Sequence, residues 1–576
     1  MSDTSYEGSS RCLDAFAAAL NQACEGGEKR WYASTLELQL VSLGLCMACR
    51  SVPTLHVYVH VNDHLATPYS LRGSGATHRE RRSPSWNSWW KRSVPSRVPA
   101  VRALSMTLVL PMEVMPQTAT ERWKFVEFLR LQQYSTTTVR LDSVVWPPRL
   151  KHLVLDMPVG TGSSFKGNMG LGDDFNLVVW PSQLQELQFG SRFNQPIAGT
   201  VWPASLRTLS FGDGFNKPIA ESVWPNSLEK LSFGRAFDRP ITEVAWPTSL
   251  QELSFGDGFN KYIAGAVWPA AVQELSFGDG FNKPIAESVW PNSLQKLSFG
   301  NAFNQPIAEV AWPASLQELS FGSWFTQPVA GTVWPTFLQR LEFGDWFNKP
   351  IAESVWPNNL QRLSFGRAFN QSIAEVAWPA SLQELSFGNW FNQPIDGTVW
   401  PDSLRKLSFG DDFNTPIADS AWPNSLQKLS FGRAFNHAVA EVVWPASMRN
   451  LSFGSAFNQP IMDVVWPGCL QRLSFGDCFD MPIGGVVWPP SLQRLSFGSS
   501  FDQPVAGTLW PASLQQLSFG KRFNHPIAGS IWPASLEELS FGRCFDQPMA
   551  LVEWPASLRV VTRANEELLW QRKELE

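Results

Sequence analysis

The chain has 576 residues and a formal net charge of −5, from 46 basic and 51 acidic side chains, so its overall charge names no partner. Seven cysteines, an odd number with no regular spacing, argue against a disulfide framework and fit a reducing compartment. Aromatic content is the anomaly, with 40 Phe and 28 Trp.

The segment 1–140 lacks the periodicity of the rest. Met1 to Ser10 is polar, without the apolar core of a signal peptide, and the longest apolar stretch, near Val41 to Cys49, is too short to span a bilayer. Leu13 to Cys24 and Thr120 to Gln133 have the spacing of short amphipathic helices, and Thr54 to Val61 alternates like a strand. Cys46-x-x-Cys49 has no second pair and no nearby His, a weak signal for metal or redox use.

From Arg72 to Arg102 run Arg72, Arg79, Arg81, Arg82, Lys91, Arg92, Arg97 and Arg102 against Glu80, interleaved with Trp86, Trp89 and Trp90. That composition suits a nucleic-acid arm or nuclear-import signal; a flexible basic linker is the preferred reading. The expected organisation is a small mixed helix/strand region over 1–71, the basic linker over 72–103, and a strand-plus-helix cap over 104–140. A solenoid follows over 141–558, and a capping helix over 559–576. The glycine-rich segment Asp156 to Asn176 reads as part of a degenerate first coil rather than a functional loop.

A fixed beat follows. Trp-Pro at Trp180, Trp202 and Trp224 opens a 22-residue period that continues to Trp554, 18 times without insertion or deletion, and Phe-Gly keeps the same beat from Gly190 to Gly542. Seven columns are apolar and expected in the core, those of Val223, Trp224, Leu228, Leu231, Phe233, Phe237 and Ile241. Leu-x-x-Leu-x-Phe reads as a strand, and identical strands one coil apart must run parallel. One coil cannot cover its own apolar face; stacked coils cover each other's.

The turn after the strand starts at Gly212, where a side chain would obstruct a bend. The column that includes Asn216, Asn282, Asn304, Asn348 and Asn370 holds Asn 12 times, Asp four times (Asp238, Asp480, Asp502, Asp546) and Thr once (Thr326). Their shared feature is a side-chain oxygen, so this column is expected to cap backbone N–H groups as a structural ladder. Calcium binding by stacked acids is the disfavoured alternative. Pro218 and Pro225 disfavour helix between strands.

The coils resemble the FNIP repeat, a relative of the leucine-rich repeat. The match is carried by Phe215-Asn216-x-Pro218-Ile219, preceded by Pro203-x-Ser205-Leu206-x-x-Leu209, and recurs in register at Phe303 to Ile307 and Phe457 to Ile461. The resemblance covers about 146–558. It implies a mainly β, leucine-rich-repeat-like parallel-sheet solenoid of about 18 coils, and an interaction protein without chemistry in its repeats. One departure is clear: counting Leu206 as position 1, the Asn stands at position 11, not 9, so a standard horseshoe curvature is not implied. A second period lies over the first. Glu-Ser-Val-Trp begins at Glu221, Glu287 and Glu353, once in every three coils, as if three-coil blocks had been copied.

Function is expected in the columns that vary. A Ser column (Ser210) without partnered His or Asp is no nucleophile. Beside it lie variable charges, among them Arg340, Arg362, Arg367 and Glu384. A column most often Gly or Ala holds Trp324, Trp346 and Trp390, which are candidate binding hot spots, the alternative being that the rings fold over a neighbouring coil. The expectation is a non-catalytic scaffold for unknown protein partners, monomeric, cytoplasmic with a nuclear location open, needing no metal or cofactor and meeting no membrane. Nucleic-acid binding through 72–102, or a regulatory activity within 1–140, is the alternative.

Overall fold

A computed structural model describes residues 54–60, 103–110, 126–133, 146–156, 176, 178–563 and 567–571. The expected helix at Leu13 to Cys24, the Cys46/Cys49 pair, the basic segment 72–102 and most of the glycine-rich segment lie outside these residues. The described residues form a parallel-sheet β-solenoid and include no α-helix. The chain divides into two units, Met1–Lys261 with Ala266–Val272, and Tyr262–Gly265 with Gln273–Glu576.

In the first unit, β1 (Thr54–His60), β2 (Ala103–Leu110), β3 (Val126–Gln133) and β4 (His152–Asp156) pair parallel in that order. The ladder continues through β5 (Glu186–Phe189), β6 (Thr208–Ser210), β7 (Lys230–Ser232) and β8 (Glu252–Ser254). The strand expected near Thr54 is present. The helix expected over Thr120 to Gln133 is not: residues 126–133 are strand, and Val126, Leu129 and Leu131 are buried. Pairing with β2 and β4 overrides the local helical spacing. The sheet thus begins ahead of the repeats, at β1.

In the second unit, one strand recurs per coil from β9 (Glu274–Ser276) to β21 (Glu538–Phe541). Its last parallel pairing is to β22 (Val560–Arg563). The capping helix expected over 559–576 is instead a strand pair, with β23 (Glu567–Gln571) returning antiparallel on β22. Trp570 packs at 6.1 Å on Trp554, the last of the Trp-Pro column, so the hairpin covers the final coil's open edge.

Each repeat strand is three or four residues long. Its central Leu is buried and its flanking residues face outward, as period-2 alternation requires. Below the sheet the two Phe columns interleave. Phe211 and Phe215 lie 4.3 Å apart within a coil, and Phe215 stacks on Phe237 of the next at 6.0 Å. Trp334 meets the edge of Phe343 and stacks on Trp356 at 6.2 Å. The repeat Phe rings are buried throughout, and truncating one to Ala costs about 3–5 kcal/mol.

The strand-ending glycines are dictated by contact. A Cβ on Gly388 would sit 1.7 Å from the Gly366 carbonyl oxygen, against backbone that cannot move aside. Successive coils approach there without room for a methyl group.

One of the seven columns expected in the core is not in it. The Val223 column faces solvent, with Val, Leu and Ile members 73–81% exposed from Val179 to Ile531. Its extended segment alternates, so the residues on either side point in instead. Trp224 is inward, and so is the Ser222 column, which holds Ser, Thr, Val or Ala and is buried from Val178 to Ser530. Glu553 belongs to the exposed column and caps no core position.

Candidate interaction surface

The turn ladder runs between coils. The Oδ1 of Asn216 accepts the backbone N–H of Asp238 at 3.1 Å. Asn282, Asn304, Asn348 and Asn370 likewise accept the N–H groups of Asn304, Thr326, Asn370 and Asn392, each at 3.0 Å. The expected cap is there, reaching the equivalent residue one coil on. A following Gln reinforces it, as Gln371 Nε2 donates to Asn348 Oδ1 at 2.8 Å. Asp238, Asp480 and Asp502 play the same part: Asp480 Oδ1 accepts the N–H of Asp502 and the amide of Gln503. A second ladder was not foreseen. In most coils a Ser stands before the first Leu and donates to the preceding coil's Leu carbonyl, as Ser381 does to Leu360 at 2.7 Å. Its signal was the frequency of Ser in Pro-x-Ser-Leu.

Two Asp carboxyls lie below their ordinary pKa. Partial burial pushes Asp238 up, but the Lys261 ammonium, the Asn260 N–H and the Arg239 charge outweigh it. Asp477 is lowered chiefly by the Ser499 hydroxyl and N–H that it accepts. Among the described residues no three His, Cys, Asp or Glu side chains stand together as a metal site. No helix there is long and apolar enough to cross a membrane. Cys469, Cys478 and Cys544 are exposed free thiols.

The columns that vary in charge are outside. Arg340 in β12 (Arg340–Glu342) stands opposite Arg362 in β13 (Arg362–Ser364) and turns its guanidinium to Glu342 at 2.8 Å. Arg362 pairs at 3.6 Å with Glu384 in β14 (Glu384–Ser386), which also meets Lys406 at 3.5 Å. These pairs are exposed and contribute little individually.

The three tryptophans differ. Trp324 is 60% exposed, Trp346 46% and Trp390 38%. Trp346 and Trp390 meet edge to face at 5.5 Å across the intervening coil, whose residue in this column is the buried Ala368. The Arg367 guanidinium lies 5.6 Å from the Trp390 ring. The structure therefore joins Trp346, Trp390 and Arg367 in one cluster and leaves Trp324 the most open. The rings both pack on each other and present an aromatic edge to solvent.

Coils of this register, with the Asx ladder at position 11 and Phe-Gly at the strand end, are matched by the profile of the FNIP Repeat over 178–214, 215–258, 259–302, 347–389, 391–434, 479–522 and 506–544. The crystal structure of CroV588, described as a novel circular LRR protein, is 32% identical over 80% of this chain and 79% of that chain, with a TM-score of 0.52. The chain belongs to the FNIP-repeat family. FNIP coils thus account for its parallel sheet. An internalin (inlF) from Listeria monocytogenes aligns at 14% identity over 51% of this chain and 80% of that one, with a TM-score of 0.32. The Toll–Spatzle complex of Drosophila aligns at 11% identity over 91% and 71%, with a TM-score of 0.38. No curated protein sequence matches this FNIP-repeat chain.

Proposed function

We propose that this FNIP-repeat chain is a non-catalytic scaffold that binds protein partners through the outward columns of its coils. The observation that supports this reading most is that the constant aromatic, Leu, Gly and Asx columns and the columns that vary in charge lie on different sides of the coil. The Phe, Trp, Leu, Gly and Asx columns are all taken up by core contacts and inter-coil ladders. The residues that change from coil to coil, including Trp324, Trp346, Trp390, Arg340, Arg362, Arg367 and Glu384, lie on the surface.

Partly exposed Trp beside Arg is the composition enriched at binding hot spots. No group in these columns has the nucleophile–base partnership that covalent chemistry needs. Affinity purification with the full chain as bait, compared with a Trp324→Ala/Trp346→Ala/Trp390→Ala variant, tests the reading. Loss of one or more partners from the variant is expected, with affinity falling about 30-fold or more for a partner centred on the cluster. An unchanged partner set would remove these residues from the surface.

A further inference from the structure

The strand faces of β16 (Lys428–Ser430), β17 (Asn450–Ser452), β18 (Arg472–Ser474), β19 (Arg494–Ser496), β20 (Gln516–Ser518) and β21 line a trough of about 550 Å³. Its charges are unlike those elsewhere on the same column. Earlier cations are neutralised in place: Lys296 by Glu274 at 2.9 Å, Arg340 by Glu342, and Arg362 and Lys406 by Glu384. Lys428, Arg472 and Arg494 are exposed and reach no carboxylate among the described residues.

The one acidic residue lining the trough, Glu538, takes a hydrogen bond from Gln516 at 2.8 Å. Arg472 stands directly opposite Arg494 in the parallel register. Like charges placed opposite each other destabilise a strand pair, and a bound anion relieves that cost. Beside them runs a row of serine hydroxyls, in which Ser474 donates to Ser452 at 2.9 Å. The trough is thus rich in cations and short of carboxylates, within a chain whose net charge is −5.

We infer that this trough binds an extended acidic peptide, with two carboxylates about four residues apart. Adjacent strands lie about 4.8 Å apart, so Arg472 and Arg494 can hold one carboxylate between them. Lys428 is two strands from Arg472 and so roughly 12 Å from that shared carboxylate, which is about four residues of extended chain at about 3.3 Å each, a spacing that keeps both side chains on one face. Single-stranded nucleic acid is the poorer fit, because it is held by aromatic rings that stack on bases and no aromatic residue lines the trough. The inference rests on the reading of the chain as a binding scaffold but uses none of its tryptophans.

The test is titration of the full chain into fluorescein-labelled hexaglutamate, with hexalysine as control and oligothymidylate as the nucleic-acid arm. Saturable, salt-sensitive binding of hexaglutamate is expected. It should weaken about tenfold or more in Arg472→Gln/Arg494→Gln and tighten about two- to threefold in Glu538→Gln. All three positions are exposed, so the melting temperature should not fall, and loss of the Arg472–Arg494 repulsion should raise it slightly in the double Arg variant. Trp346→Ala/Trp390→Ala should bind hexaglutamate like the parent, which separates failure of the aromatic surface from failure of the trough. The inference is overturned by absence of saturable hexaglutamate binding, by equal binding in the double Arg variant, or by tighter oligothymidylate binding that the same variant loses.

Discussion

Asn304 Oδ1 accepts two hydrogen bonds from Thr326, one from its backbone N–H at 3.0 Å and one from its hydroxyl at 3.2 Å. Thr326 is the single member of the Asx column without a carboxyl or carboxamide group. Its hydroxyl turns back to the previous coil, and no hydrogen bond runs from the Asn348 N–H to Thr326. Thr326→Asn restores that rung and should stabilise the second unit by about 0.5–1 kcal/mol, read as a raised denaturation midpoint. A lower midpoint would show that the ladder tolerates no repair there.

The buried column beside the tryptophans carries hydroxyls that bond to nothing, among them Thr332, Ser354 and Thr398. Other coils place Val at the same position, as at Val310 and Val376, equally buried. Thr332→Val keeps the shape and removes an unsatisfied buried donor. A gain of about 1 kcal/mol is expected in chemical denaturation.

Gly388 and Val355 test the two sides of the coil. Gly388→Ala drives a Cβ into the Gly366 carbonyl and should cost on the order of 3 kcal/mol, with loss of cooperative unfolding around that coil. Val355 is exposed although its column is as regular as the core columns. Val355→Ser should therefore change the midpoint by no more than about 0.5 kcal/mol. A large cost there would place the residue in a contact the free chain does not show.

Asp238 titrates below its ordinary value of 3.8. A carboxyl with a lowered folded-state pKa adds stability above its unfolded value, and that stability is lost as pH falls through the folded value. Asp238→Asn keeps the cap on Asn260 in kind but removes the titration. The parent should therefore lose its advantage over this variant only below pH 3.8, where denaturation midpoints of the two should converge. A difference that stayed constant through that acid range would exclude the carboxylate as its source.

Much of this protein could be read from its sequence because the 22-residue period repeats the same local problem. Parallel strands, the Phe and Trp stacks, the Gly approach and the Asx ladder all follow from residues that must meet their own equivalents one coil away. Where that repetition ends, pairing partners decided the structure. Residues 126–133 became a strand because β2 and β4 pair with them on both sides, and 567–571 because they satisfy the open edge of β22; in both places backbone pairing outweighs helical spacing.

Tertiary structure also decided the face of each regular column, since an apolar column is equally regular on either side of an extended segment. It turned Val223 outward and Ser222 inward, brought Trp346 to Trp390 over Ala368, and left Arg472 and Arg494 side by side without a carboxylate. The period determines which residues become neighbours along the coil stack; the path of the chain within each coil decides which of them meet solvent.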